Sequence, residues 1–248
     1  MDLEPTRRLI AAIIAAREAR NYFTGAADKE CSLRRLFVEM PTCLASYSRN
    51  KDAQHKAEKA WQHLNNFYRT RAPRSTAGMF IRCIAENVKA TWPDYRPPPL
   101  LSEQPEQCAC KISSLVPCIL GCLKKSCGRQ DYSLVTKFLH FTYPETYPIF
   151  DARVARAIEE WAYFTFRQLA ERHNWKNYQA LGDPTNYEHL VRFYATLWLA
   201  CRQEEKMKLR SSAEEMSGIV GASVSVLDLI DKHLWRCAGN PVLLRLLD

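Results

Sequence analysis

Glycine is scarce in this chain, at eight residues in 248, and strictly alternating apolar and polar segments are scarcer still. Long Ala-, Leu-, Arg- and Glu-rich segments take their place, so the composition excludes a sheet protein and points to an all-α fold. No run approaches the roughly 20 apolar residues that a membrane-spanning helix needs, and no membrane partner is expected. The G-x-x-x-x-G-K-S/T loop, G-x-G-x-x-G, H-E-x-x-H and G-x-S-x-G are all missing, and with them the nucleotide-binding, metalloprotease and serine-hydrolase chemistries they serve. The opening Met-Asp-Leu-Glu-Pro-Thr-Arg-Arg has acids before its basic pair, and the Ile10–Ala16 run ends in Arg17 and Glu18. Neither is the pattern of a secretory signal.

Positive charge, by contrast, is plentiful. Thirty-five Lys and Arg against twenty-seven Asp and Glu leave +8 and a pI near 9.0, which suits nucleic acid or another acidic surface. Part of the excess is local, because residues 69–96 hold Arg69, Arg71, Arg74, Arg82, Lys89 and Arg96 against Glu86 and Asp94. Arg69-Thr-Arg-Ala-Pro-Arg74-Ser-Thr is a breaker-containing loop that opens a helix, where guanidinium groups, hydroxyls and helix N–H donors can meet phosphates. A solvated basic loop is the other account of the same residues.

Ten cysteines are present, and Cys108, Cys110, Cys118, Cys122 and Cys127 lie close together. Their spacing is not that of the duplicated C-x2-4-C pairs of structural zinc, so no metal is expected. Cys118 and Cys122 fit with Leu115, Ile119 and Leu123 as small hydrophobes on a buried helix. Free buried thiols and a reducing, cytoplasmic compartment are the expectation.

A chain that is 47% hydrophobic can bury a sizeable core in one domain or two closely packed lobes. Helices are expected over residues 5–23, 32–47, 52–68 and 75–91, with Pro41 kinking or ending one of them. Trp92-Pro-Asp-Tyr-Arg-Pro-Pro-Pro99 cannot be regular helix, and the polar stretch after it places a linker at 93–110. That divides the chain into lobes at 1–92 and 111–248, the second with helices near 112–126, 131–142, 151–173, 186–202 and 224–238.

The segment richest in chemistry is Ser133-Leu-Val-Thr-Lys137-Phe-Leu-His140-Phe, followed by Tyr143-Pro-Glu-Thr-Tyr-Pro148-Ile-Phe-Asp151-Ala-Arg153. Leu134, Phe138, Leu139 and Phe141 recur at helical spacing and put Ser133, Lys137 and His140 on a neighbouring stripe. Pro144 and Pro148 stop that helix and force a turn. Asp151 then falls where the next helix begins, and two roles are open to it: a cap for the first-turn N–H groups or a catalytic carboxylate.

This segment resembles the catalytic core of the helix-hairpin-helix superfamily of DNA glycosylases, the 8-oxoguanine-type branch in particular. There a lysine-bearing helix is followed by a Pro-containing turn, and an aspartate opens the next helix in a Pro-apolar-apolar-Asp segment that Pro148-Ile-Phe-Asp151 matches. Lys137 stands about one helical turn nearer the aspartate than the family lysine, with Tyr132 at roughly the usual position. Gly128-Arg-Gln-Asp-Tyr replaces the glycine-rich hairpin, which is eroded. Lys-apolar-Leu-His-Phe followed by Pro-apolar-apolar-Asp-x-Arg is similar to a bacterial group related to antiphage glycosylases that excise glucosylated hydroxymethylcytosine.

The resemblance implies an all-α fold of two closely packed lobes with DNA in the cleft between them. It implies a monomer that uses no cofactor and acts on double-stranded DNA with a modified, flipped base. Glucosylated 5-hydroxymethylcytosine in phage DNA is the expected base, and 8-oxoguanine the alternative. Asp151 and Lys137 become the catalytic residues, and the lysine's offset favours a monofunctional enzyme. His140, Arg153 and Tyr132, with Asp228, Asp231 and Trp235 from a late amphipathic helix, become substrate-binding, while Arg69, Arg71 and Arg74 become DNA-binding. Outside the resemblance, a non-enzymatic basic helical module explains the same charge, with Lys137 snorkelling and Asp151 capping.

If Arg69, Arg71 and Arg74 neutralise phosphates, replacing them with alanine weakens binding to all DNA sequences alike. The slope of log K against log salt should fall by about one for each phosphate no longer neutralised. An unchanged slope in a salt titration returns these residues to the solvated surface.

Overall fold

The computed structural model describes residues 4–15, 17–68, 72–128, 132–165 and 184–238. Among the described residues there are helices and loops and no strand, so the fold is all-α as expected. In chain order the helices are α1 (Glu4–Ile14), α2 (Arg17–Phe37), α3 (Met40–Ser46), α4 (Lys51–Tyr68), α5 (Ala77–Thr91), α6 (Pro105–Cys127), α7 (Tyr132–Thr142), α8 (Ala152–Thr165), α9 (Pro184–Ala200), α10 (Gln203–Val220) and α11 (Val226–Cys237). A 3-10 turn at Arg74–Thr76 leads into α5.

Helix α2 differs most from the expectation of separate helices at 5–23 and 32–47. It runs unbroken through Gly25 because Phe23, Glu30 and Phe37, seven residues apart, fall on one buried stripe while Thr24 and Gly25 face solvent. The break comes later, at Val38 and Glu39, and Pro41 then sits in the first turn of α3, where its missing N–H is no loss. Helix α10 lies outside the helices expected from sequence. Its residues are mostly polar, but Leu209, Ala213, Met216 and Val220 form one buried stripe and Gly221, at φ 68°, closes its end.

Two helices are enclosed on nearly all sides. Helix α7 is buried from Leu134 to Thr142, and α11 from Val226 to Leu234. Helix α2 packs on both, and α11 also packs on α8 and α10. One continuous apolar cluster takes in side chains from every described helix, from Leu9 to Cys237. The Pro-rich segment is fastened to the turn after α7: Leu100 N–H donates to Glu145 O at 2.9 Å, and Thr146 Oγ1 to Pro98 O at 3.0 Å. Helix α6 starts at Pro105, inside the span expected to be linker, and ends at Gly128 in the left-handed conformation (φ 69°). No described helix is long and apolar enough to cross a membrane.

The cysteines need correction. Cys83 of α5 and Cys122 of α6 form a disulfide with Cα atoms 5.8 Å apart, and Cys118 is exposed. At 100° per residue the apolar face of α6 centres on Ile112, Leu115, Val116 and Ile119, so Cys118 lies roughly a third of a turn away from it and Cys122 at its edge. The expectation of free buried thiols holds for Cys43, Cys108, Cys201 and Cys237. It fails for the pair most relied upon to infer a reducing compartment.

Non-reducing peptide mapping should recover Cys83 joined to Cys122. Closing a loop of sequence separation 39 contributes about 4 kcal/mol, so reduction should lower Tm by roughly 10 °C. Equal melting with and without dithiothreitol would remove this bond from the fold's stability.

Candidate active site

The site is assembled by one hydroxyl. Thr136, on α7 beside Lys137, accepts the Phe150 N–H on Oγ1 at 3.1 Å and reaches back to the carbonyls of Tyr132 and Ser133, both at 3.2 Å. That peg draws the chain after Pro148 onto the helix that carries Lys137. Tyr187 of α9 holds the same segment by donating to Pro148 O at 3.1 Å. Asp151 follows immediately and is the N-cap of α8: its Oδ1 accepts the Arg153 N–H at 2.9 Å, and its carbonyl accepts from Ala155 at 2.9 Å.

The other carboxylate oxygen of Asp151 faces inward, 3.4 Å from Lys137 Nζ. Capping and ion pairing are thus divided between the two oxygens of one residue. Lys137 is 6% exposed. Its ammonium also donates to Ser133 Oγ at 2.7 Å and lies 4.4 Å from the centre of the Tyr68 ring. Burial lowers the Lys137 pKa below the ordinary lysine value, with Lys232 adding to the effect and Asp151 opposing it. The Asp151 side chain keeps 23% of its surface open to solvent, so the pair is buried on the lysine side and accessible on the carboxylate side.

Beneath this pair lies a second polar layer. Arg34 of α2 grips Asp228 of α11 through both carboxylate oxygens, at 2.5 and 3.2 Å, and binds Glu30 at 3.1 Å. His140 Nε2 meets Asp228 Oδ1 at 2.7 Å, and its Nδ1 donates to the Tyr147 carbonyl at 2.7 Å. Both ring nitrogens face acceptors, so the arrangement is fully satisfied when His140 carries both protons. Burial alone would raise the Asp228 pKa; Arg34 and then His140 outweigh it and hold the carboxyl well below the usual carboxylate range. Ser225 completes the layer, donating its N–H to Asp228 Oδ2 at 2.8 Å.

His140 and Asp228 therefore spend their polar atoms on each other, on Arg34 and on backbone, and no valence is left for a sugar hydroxyl. Tyr132 is buried under Phe150 and Tyr187. Arg153 is exposed and Trp235 partly buried, the guanidinium 4.5 Å from the indole centre, and Trp235 packs edge-on against Tyr22 at 5.8 Å. Asp231 is 2% exposed and pairs with Lys232 at 2.9 Å. Arg74 is exposed in the 3-10 turn before α5; Arg69 and Arg71 lie outside the described residues. Among the described residues no cluster of three His, Cys, Asp or Glu side chains is arranged to hold a metal ion.

Glu30, Arg34, Thr136 and Lys232 belong to this assembly and are not candidates on sequence alone. A signal exists for two of them: Glu30 and Arg34 sit on the face of α2 that carries Phe23, Leu33 and Phe37, where a charge needs a buried partner. No protein-family model, curated protein or solved structure matches the chain. Its chemistry has to be argued from these residues.

The two layers should respond oppositely to neutralisation. Asp228→Asn leaves Arg34 and His140 buried without their shared counter-charge and should cost about 3 kcal/mol. Lys137→Met removes a desolvated cation and should leave stability unchanged or raise it by about 1 kcal/mol. Because the folded pKa of Asp228 lies below its unfolded value, its contribution is complete above about pH 4 and is lost as pH falls through the depressed value. The Lys137 pKa is lowered, so its penalty is relieved as pH rises from the folded value towards about 10.4. Urea unfolding of wild type and both variants across pH checks these signs.

Proposed function

We propose that the chain is a DNA glycosylase that hydrolyses the N-glycosidic bond of a modified base flipped out of double-stranded DNA, acting as a monomer. The observation that carries this reading is the Lys137–Asp151 pair: a desolvated ammonium 3.4 Å from a partly open carboxylate at a helix start. As the C1′–N bond lengthens, positive charge grows on the sugar. A fixed carboxylate beside it stabilises that charge without reorganising, and it can take the proton of an attacking water. O-glycoside hydrolysis uses carboxylates in a parallel way.

Lys137 has a different part. With Asp151, Ser133 and the Tyr68 face already around its Nζ, it fixes the orientation of the carboxylate and meets the substrate as a cation. Hydrolysis without strand scission follows. Arg153, exposed beside the Trp235 ring, is the residue we assign to a backbone phosphate next to the flipped nucleotide.

The test is base release. Purified chain is incubated with duplexes carrying 8-oxoguanine, 5-hydroxymethylcytosine or no modification and with glucosylated phage DNA, and freed bases are identified by mass spectrometry. Asp151→Asn keeps an oxygen for the cap but loses the charge, so it should unfold cooperatively like wild type while release falls by about 10²–10³-fold or more. Release by Asp151→Asn at the wild-type rate would eliminate the role given to this carboxylate. Tight DNA binding without release from any substrate would favour a non-enzymatic nucleic-acid-binding module.

A further inference from the structure

A cleft of about 740 Å³ lies among α3, the start of α4, α5 and the turn after α5. None of its lining residues belongs to the Lys137–Asp151 site, and its volume falls within the roughly 300–1,000 Å³ of small-molecule sites. Leu44 of α3 and Ala85 of α5, both buried, give it an apolar floor. Charge surrounds that floor. Arg49 comes from the turn between α3 and α4, Asp94 from the turn after α5, and Arg82, Glu86 and Lys89 stand at i, i+4 and i+7 on one face of α5.

These five side chains are exposed and do not satisfy one another. Spacings of three and four residues are those at which helical ion pairs form. Among the described residues, however, Arg49, Arg82, Glu86 and Lys89 make no ion pair and no side-chain hydrogen bond. Asp94 spends one oxygen on its own turn, accepting the Arg96 N–H on Oδ1 at 3.2 Å. Three cations and two carboxylates therefore share one space with their hydrogen-bonding capacity largely unused.

One wall of the cleft is also strained. Tyr95 has φ 56°, and among the described residues it is alone outside glycine in having positive φ. The left-handed region is unfavourable for a bulky side chain, and such residues cluster at ligand clamps and switches. The Tyr95 N–H, donating to Trp92 O at 2.8 Å, holds this turn, and the turn brings Asp94 and Tyr95 to the cleft together.

We propose that the cleft binds a phosphorylated pentose, free or as part of a mononucleotide. A phosphate monoester carries roughly −1.5 to −2 at pH 7, a multiple charge that calls for more than one cation. Arg49 and Arg82 offer planar forks that suit its oxygens, and Lys89 a further point charge. Glu86 and Asp94, which would repel a bare anion, accept the sugar hydroxyls. The apolar face of the sugar lies on Leu44 and Ala85. Inorganic phosphate can use only the cations, and an unphosphorylated sugar only the carboxylates. The proposal stands apart from the glycosylase reading, since no residue is common to the two sites.

Calorimetric titration of the full chain tests it, with ribose 5-phosphate, AMP, ribose, inorganic phosphate, succinate and a short DNA duplex as probes. The forms compared are wild type, Arg49→Ala, Arg82→Ala and Glu86→Gln, with Lys137→Met as a control outside the cleft. All three cleft positions are exposed, and thermal unfolding checks that each variant folds. Ribose 5-phosphate and AMP should bind wild type and Lys137→Met alike, and each arginine variant should weaken them by about tenfold or more. Glu86→Gln should lower the preference for ribose 5-phosphate over inorganic phosphate, because it removes a sugar acceptor and a repulsive charge together. Failure of both esters to bind wild type, or equal affinity in both arginine variants, would overturn the proposal. Succinate or inorganic phosphate binding as tightly as the esters would overturn the ligand class. Esters that do not bind, with a duplex that loses affinity in the arginine variants, would replace it by a DNA-backbone contact.

Discussion

Eight ionisable side chains are brought together where α2, α7, α8 and α11 meet: Glu30, Arg34, Lys137, His140, Asp151, Asp228, Asp231 and Lys232. Burying one unpaired charge costs several kcal/mol, so these groups are held in pairs. Arg34 pairs with Glu30 and Asp228, Lys137 with Asp151 and Lys232 with Asp231, and His140 bonds Asp228. That constraint selects the packing of the central helices. Helix α11, enclosed from Val226 to Leu234, carries Asp228 and Asp231 into the core, and each finds its cation, one from α2 and one from its own helix.

The outer pair is shared with the backbone. Asp151 gives one oxygen to the α8 cap and the other to Lys137, and its surface stays partly open. A cap in a regular helix needs only the first of these. The second arises because Thr136 pegs Phe150 to α7, and the turn between is tied to Pro98, to Ser225 and to His140. These hydrogen bonds fix the course of the turn and so hold the Asp151 carboxylate beside Lys137.

What could be read from sequence was local. Lys137 and Asp151 are fourteen residues apart, joined by a Pro-bounded turn, and periodicity plus turn chemistry bring them to the same place that the structure does. Arg34 and Asp228 are separated by 194 residues, and no local rule links them. His140 and Asp228 were expected as ligand contacts from the resemblance, His140 for its place one turn from Lys137 and Asp228 for its place on a late amphipathic helix. Here α7 from Leu134 to Thr142 and α11 from Val226 to Leu234 are buried, and polarity marks buried pairing instead. The continuity of α2 was hidden by Gly25, whose propensity cost is outweighed by the burial of Phe23, Leu33 and Phe37. Cys83 and Cys122 pair across α5 and α6, a relation that depends on how the helices stack and not on spacing within either.

The central physical claim is that Lys137 is a desolvated ammonium balanced by Asp151. Following the Lys137 side-chain resonances of isotope-labelled full chain against pH tests it directly, with Lys137→Met for assignment. The account predicts a titration below the ordinary lysine value of about 10.4, moving lower still in Asp151→Asn, where the stabilising charge is gone. A lysine that titrates in the ordinary range, and does not respond to Asp151→Asn, would contradict it.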